Sequence, residues 1–321
     1  MRVETPKRRR FVRFCLWSLA LAAIATVVVN LTVAELPPMP AAEGRYISVQ
    51  GRDIHYVERP GQGMSVVMLH GLPGTSEDFD PLIPKLPGLH LVSIDRPGFG
   101  WSRGGWLPYQ DQIEVVHAVL NRLELAPAIL VGWSFGGSLA LGVARRYPED
   151  VARMVLIAPA AGGMRSYTRD LVQARYLQFS QQPVVKSVIS RTYGNIATRV
   201  SAYFGARGAF APAPVDPTYQ ERLLAVSLTP GNLDAFSRDQ LEYNATMQWL
   251  DDEVAEVRVP STVIAAEGDQ LVPVEHARRL AKTLPHTELI TVDGNHMIPY
   301  THPDVVADEI RASAGARAKG S

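Results

Sequence analysis

Strand-like and helix-like segments alternate along most of this chain, and that alternation restricts its fold more than any other feature. SVVMLHG, HLVSIDRPG, AILVG, VARMVLIAP, STVIAAEGD and TELITVDG are short, apolar and rich in β-branched residues, as buried strands are. SEDFDPLIPKL, QDQIEVVHAVLNRL, FGGSLALGVARRY, VEHARRLAKTL and PDVVADEIRASA fall between or after them with helical patterning. A chain that alternates in this way is expected to form a mainly parallel β-sheet with helices on both faces. RYISVQ and RDIHYVER, parted by Gly51, come first and read as a hairpin. The alternation breaks after Pro159. From about 163 to 257 the pattern is helical, with breaks such as GARGAFAPAPVDP. A helical insertion at that point is expected to cap the C-terminal edge of the sheet, where ligands bind in open α/β folds.

The N-terminus is of another kind. Residues 1–13, MRVETPKRRRFVR, are strongly basic, and residues 14–34, FCLWSLALAAIATVVVNLTVA, form an apolar run interrupted by Asn30. The run has the length a membrane helix needs. Basic residues precede it and a proline-rich link, 35–43, follows. The positive-inside rule therefore expects a cytoplasmic N-terminus and a domain, 44–313, outside the cytoplasm. The run reads as an uncleaved anchor in preference to an export signal cut after TVA, which would give a secreted protein. RRRFVR also resembles a twin-arginine export motif. The tail, 314–321, reads as disordered.

Balanced charge, 32 basic against 32 acidic residues, argues against a nucleic-acid partner. A single cysteine, Cys15, excludes an internal disulfide or a multi-cysteine metal site.

Chemistry concentrates at ILVGWSFGGSLALG. A strand pattern ends in Gly132-Trp133-Ser134-Phe135-Gly136 and a helix pattern starts at once. In that arrangement the serine sits on a sharp turn with its hydroxyl exposed. The two glycines allow strand and helix backbones to approach, and the helix N-terminus offers free N–H groups and a positive dipole end. Ser134 is the candidate nucleophile, and it needs a base and an acid. His296 lies in the loop GNHMIPYTHP after the last strand, at the same sheet edge. The other histidines are placed less well. His117 and His276 fall in helix patterns, His90 and His286 precede strands, His55 lies in the hairpin, and His302 opens the last helix. Asp269 ends a strand at the serine's edge, with Glu267 and Asp293 as rivals for the acid.

From about residue 44 to 313 the chain resembles the α/β-hydrolase fold family. LHGLPGTSEDF is similar to its oxyanion loop, DRPGFGWS to its turn after strand four, and GWSFGG to its nucleophile elbow. EGDQLVP and GNHMIPYTHP are similar to its acid and histidine loops. The resemblance implies a Ser134–His296–Asp269 triad, an oxyanion hole from the backbone N–H groups of Leu72 and Phe135, and no metal or organic cofactor. It implies hydrolysis of an ester-like small molecule, a carboxylic ester, lactone or amide, through an acyl-enzyme. His70, Gly71, Asp95, Arg96 and Gly98 read as loop and turn structure. Peroxidase-like and carbon–carbon-cleaving relatives keep the same triad and stay open. Relatives with an aspartate nucleophile are disfavoured by Ser134, and a non-enzymatic binding protein by the presence of all three triad positions. Phe179, Tyr193, Phe204, Phe210 and Trp249 are the lid aromatics available to an apolar acyl pocket.

Overall fold

The computed structural model describes residues 6–32, 34–161 and 171–315. The first residues of the basic segment, the opening of the helical insertion (162–170) and the tail from 316 onward lie outside the described residues.

Among the described residues, eight strands form one sheet in the order β1-β2-β4-β3-β5-β6-β7-β8. The hairpin supplies β1 (Arg45–Val49) and β2 (Arg52–Arg59), and β2 runs antiparallel to β4. The other six, β3 (Gln62–Leu69), β4 (Leu89–Ile94), β5 (Ala128–Trp133), β6 (Val151–Ile157), β7 (Ser261–Ala266) and β8 (Thr287–Val292), are mutually parallel. Parallel strands need crossovers, and helices α2 (Tyr109–Arg122), α3 (Phe135–Arg146) and α9 (Val274–Thr283) provide them. The strand period of two is visible inside this doubly covered sheet. Val67 and Leu69 pack into one core and Val66 and Met68 into the other. The order puts β5 near the middle, so the β5–α3 junction is walled on both sides.

One crossover differs from the sequence pattern. SEDFDPLIPKL forms two short 3-10 turns, Ser76–Phe79 and Ile83–Lys85. Pro81, Pro84 and Pro87 remove backbone donors at three-residue intervals, which a continuous helix cannot absorb.

Between β6 and β7 lie α4 (Leu171–Ser180), α5 (Pro183–Ile189), α6 (Asn195–Phe210), α7 (Pro217–Arg222) and α8 (Pro230–Glu253). A π-helical turn, Ser190–Gly194, joins α5 to α6. The glycines of GARGAF do not interrupt α6, and the break comes at Ala211. The short α10 (Ile298–Thr301) and then α11 (Pro303–Gly315) close the domain.

The N-terminal helix α1 runs Pro6–Thr32, and its stretch Arg10–Thr32 is long and apolar enough to cross a membrane. Signal sequences share that character. Its end is fixed to the insertion. Asn30 is fully buried, donates its amide to the Ser190 carbonyl at 2.9 Å, and accepts from Asn195 N at 2.8 Å and Ile196 N at 3.2 Å. The link that follows is docked as well. Trp101 Nε1 donates to the Pro40 carbonyl at 2.9 Å, and the Glu43 carbonyl meets His55 Nε2 at 2.6 Å.

Candidate active site

Ser134 caps the N-terminus of α3 with φ +55° and ψ −118°, a conformation that costs a residue with a Cβ on the order of 1–3 kcal/mol. The surroundings enforce it. The Ser134 amide donates to the Ile157 carbonyl of β6 at 2.8 Å, and the Ser134 carbonyl accepts from Gly137 at 3.0 Å and Ala160 at 3.0 Å. A Cβ at Gly136 would lie 1.9 Å from the Leu69 carbonyl oxygen, so only glycine lets α3 pass β3 this closely. The Phe135 amide belongs to the first turn of α3, whose N–H groups have no intrahelical acceptor.

His296 and Asp269 reach the same edge from the loops after β8 and β7. His296 Nδ1 and Asp269 Oδ2 are 2.7 Å apart, and both side chains are buried. The other carboxylate oxygen, Asp269 Oδ1, accepts from the amides of Leu271 and Val272, both at 2.8 Å. The rivals are placed elsewhere. Both carboxylate oxygens of Glu267 accept from Arg278 Nη2, and Asp293 is exposed. Ser134 and His296 line one cavity without a hydrogen bond between them among the described residues. Such contacts commonly tighten only when substrate is bound.

Leu72 follows β3 and lines the same cavity. A Cβ at Gly71 would stand 3.1 Å from Ser134 Cβ, so this loop passes directly over the serine. The Gly71 carbonyl is held by Arg96 Nη2 at 3.1 Å and His70 Nδ1 at 3.0 Å. In a trans peptide the N–H points opposite to the C=O, so these bonds fix the direction of the Leu72 amide.

Arg96 opens a turn, its carbonyl accepting from Phe99 N at 2.9 Å, and its side chain does more than shape that turn. Arg96 is a fully buried cation, sandwiched between the rings of Phe99 and Phe135 at 4.3 and 4.7 Å. Its Nη1 donates to Gln112 and to Asp239 of α8, both at 2.9 Å. His70 also does more than shape the loop, because its Nε2 accepts the Arg96 amide at 3.0 Å. That bond requires a neutral ring. Burial first, and the Arg96 charge second, bring the His70 pKa down to about 3. Asp95 is turn structure as read, accepting from the amides of Ser76 and Trp101.

Three of the remaining histidines face carboxylates elsewhere. His55 faces Asp95 at 2.8 Å, His117 faces Asp150 at 2.6 Å and His90 faces Glu58 at 2.9 Å. Asn295 had no sequence signal. Its amide donates to the Phe210 carbonyl at the end of α6, and its Oδ1 accepts from Met297 N at 2.9 Å. It ties the His296 loop to the insertion.

The cavity measures about 660 Å³. Its floor carries Leu72, Ser134, Phe135 and His296, and α4, α5, α6 and α8 supply much of its walls. Of the aromatics considered from sequence, Tyr193 lines it. Phe210 is buried against Tyr219 and Tyr300, and Trp249 packs on Tyr109 in the core. Phe179 and Phe204 are exposed.

With this geometry in hand, the chain can be set beside known proteins. The family model of the alpha/beta hydrolase fold matches residues 65–303. A pimeloyl-[acyl-carrier protein] methyl ester esterase of Xanthomonas campestris is 29% identical over 270 residues, 81% of this chain and 99% of that one. A human monoacylglycerol lipase is 25% identical over 262 residues, 76% of each chain. Among solved structures, a bacterial membrane phospholipase A matches with a TM-score of 0.67 and 20% identity, covering 97% of this chain and 100% of that one.

Proposed function

Because the chain belongs to the alpha/beta hydrolase fold family, we propose that it cleaves carboxylic esters of small molecules, with Ser134 as nucleophile, His296 as base and Asp269 as the orienting acid. One observation carries the reading. The buried His296–Asp269 pair, at 2.7 Å, and the strained Ser134 open into one mostly apolar cavity under the Leu72 loop. Relatives named as an ester esterase and a monoacylglycerol lipase favour an ester over other carbonyl substrates.

The steps follow from the groups present. Ser134 Oγ attacks the ester carbonyl while His296 Nε2 takes its proton. Asp269, on the far ring nitrogen, holds the tautomer and stabilises the imidazolium. The negative oxygen is received by the Leu72 and Phe135 amides, a contribution of roughly 3–4 kcal/mol per donor. The carbon–oxygen bond to the leaving alcohol breaks, and His296 returns the proton to that oxygen. Water then attacks the acyl-serine with His296 again as base, releasing the acid and regenerating Ser134. No step calls for a metal or an organic cofactor.

We also read α1 as a retained anchor with the catalytic domain outside the cytoplasm, and α4–α8 as a lid. Cutting the chain after Ala34 would leave Ser190, Asn195 and Ile196 without their bonds to Asn30. A fluorophosphonate probe tests the chemistry. Wild type should be labelled at Ser134 and turn over a graded series of acyl esters, and Ser134→Ala should do neither. Labelling elsewhere with activity intact in Ser134→Ala would refute it.

A further inference from the structure

The lid has a charge and surface pattern that ester cleavage does not use. Residues 171–215 carry five basic side chains, Arg175, Lys186, Arg191, Arg199 and Arg207, and no aspartate or glutamate, in a chain with 32 basic and 32 acidic residues overall; Lys186 is paired with Asp234 of α8 at 2.8 Å. The same helices expose large apolar side chains. Val184 and Val188 are four apart on α5, and Val200 and Phe204 are four apart on α6, so each pair shares a helix face. Val184 is 76% exposed and Phe204 67%. Helices that carry basic but no acidic side chains, with apolar residues left open, suit a bilayer interface with anionic headgroups.

The anchor supplies the second, independent argument. The apolar stretch of α1 ends at Thr32, so Asn30 lies in its last turn. Its bonds to Ser190, Asn195 and Ile196 clasp the π-turn between α5 and α6. Arg199 Nε adds a bond to the Ala34 carbonyl at 3.0 Å. The point where the anchor leaves the membrane is therefore the point where the two apolar-faced helices meet. The seam is also a wall of the cavity, through Leu36, Ile189 and Tyr193.

We propose that the α5–α6 face of the lid rests on an anionic lipid bilayer, and that the ester reaches Ser134 from that bilayer as a membrane-resident acyl amphiphile. The proposal rests on the anchor and ester-hydrolase readings above. A second copy of this chain is the competing occupant of the face.

The test uses the full chain with Cys15→Ser, carrying one cysteine at Val184, Phe204 or, as a control, the exposed Glu288 of β8. Each is labelled with an environment-sensitive fluorophore and placed in phosphatidylglycerol nanodiscs. Nitroxide-bearing lipids should quench the labels at 184 and 204 several-fold more than the label at 288. The difference should shrink in phosphatidylcholine discs and at high salt. Labels at 184 and 204 that respond to aqueous iodide as the control does, and not to lipid nitroxides, would overturn the docking. Shielding from both quenchers, with crosslinking into dimers, would assign the face to a second copy instead. Equal quenching in both lipids would remove the anionic headgroup from the proposal.

Val184→Ser with Phe204→Ser should leave hydrolysis of a short water-soluble ester unchanged and lower hydrolysis of a long-chain monoacylglycerol held in the discs several-fold. Equal loss on both esters would overturn the bilayer route. Loss of neither would do the same. Ser134→Ala should abolish both reactions while keeping the quenching, so the two readings fail separately.

Discussion

Arg96 and Asp239 form a buried ion pair at 2.9 Å that joins the turn after β4 to helix α8. The same guanidinium holds the Gly71 carbonyl. One cation thus ties the loop bearing Leu72 to helix α8 of the insertion. Arg96→Lys keeps the charge and loses the fork that reaches both partners. We expect kcat to fall roughly 10- to 100-fold with KM little changed, because the Leu72 amide, the proposed oxyanion donor, is misaimed. A folded Arg96→Lys protein with full kcat would show that the Leu72 amide needs no such support.

Ser134→Ala and His296→Ala are each expected to lower kcat by about a thousandfold or more, and Asp269→Asn by less than either. Glu267→Gln and Asp293→Asn should leave the rate near that of wild type. Steady-state kinetics on one short ester decides among the three acids. Full activity in Asp269→Asn, with loss in one of the other two, would move the acid.

Strain at Ser134 is separately measurable. With φ at +55°, Ser134→Gly should abolish activity yet raise the unfolding free energy by about 1 kcal/mol. Ser134→Ala, which keeps a Cβ, serves as the comparison in thermal unfolding. A glycine variant no more stable than the alanine variant would mean the turn is not strained.

Stability should depend on pH through two buried groups of opposite sign. The Asp78 carboxyl is pushed from 3.8 up to about 7, chiefly by burial. Between those values the fold holds a proton that the unfolded chain has released. Its contribution is thus present below pH 3.8 and lost as pH rises towards 7. His70 is held at about 3 against an ordinary 6.5. The unfolded chain takes up a proton that the fold refuses, and this contribution is lost as pH falls from 6.5 towards 3. Asp78→Asn should therefore gain stability over wild type progressively from pH 4 to 7. A gap that stays constant over that range, in thermal unfolding of detergent-solubilised protein, would exclude the Asp78 contribution.

Cavity walls and core should separate cleanly. Tyr193→Ala should widen tolerance for long acyl chains with little change in melting temperature. Phe210→Ala should cost about 3–5 kcal/mol of stability because its ring is packed against Tyr219 and Tyr300. Chain-length profiles beside melting curves would reverse this assignment if Phe210→Ala altered only the profile.

Much of this was legible because it is local. Strand and helix leave periods of two and 3.6 in adjacent residues, and the parallel sheet followed from them. The Ser134 turn lies within five residues. His296 and Asp269 could be offered as candidates because their loops end strands at one edge. What escaped was non-periodic or distant. Three prolines broke the crossover at 76–87 in spite of its helix-like spacing. Arg96 looked like part of a turn because Asp239 is 143 residues away, and no local pattern announces such a partner. Phe210 and Trp249 could not be told from cavity residues because wall and core aromatics have the same composition.

The clasp at Asn30 has a consequence in time. Its side-chain amide waits for Ser190, a partner 160 residues further along the chain. At ordinary rates of synthesis that interval is on the order of ten to thirty seconds. During it the polar end of α1 has neither carbonyl nor amide from the α5–α6 turn to meet, and with α1 anchored as proposed it must stay hydrated at the membrane edge. The clasp is therefore among the late contacts of biogenesis. On the proposed anchor reading, a nascent chain stalled before residue 190 should hold α1 shallower in the membrane than the finished protein does.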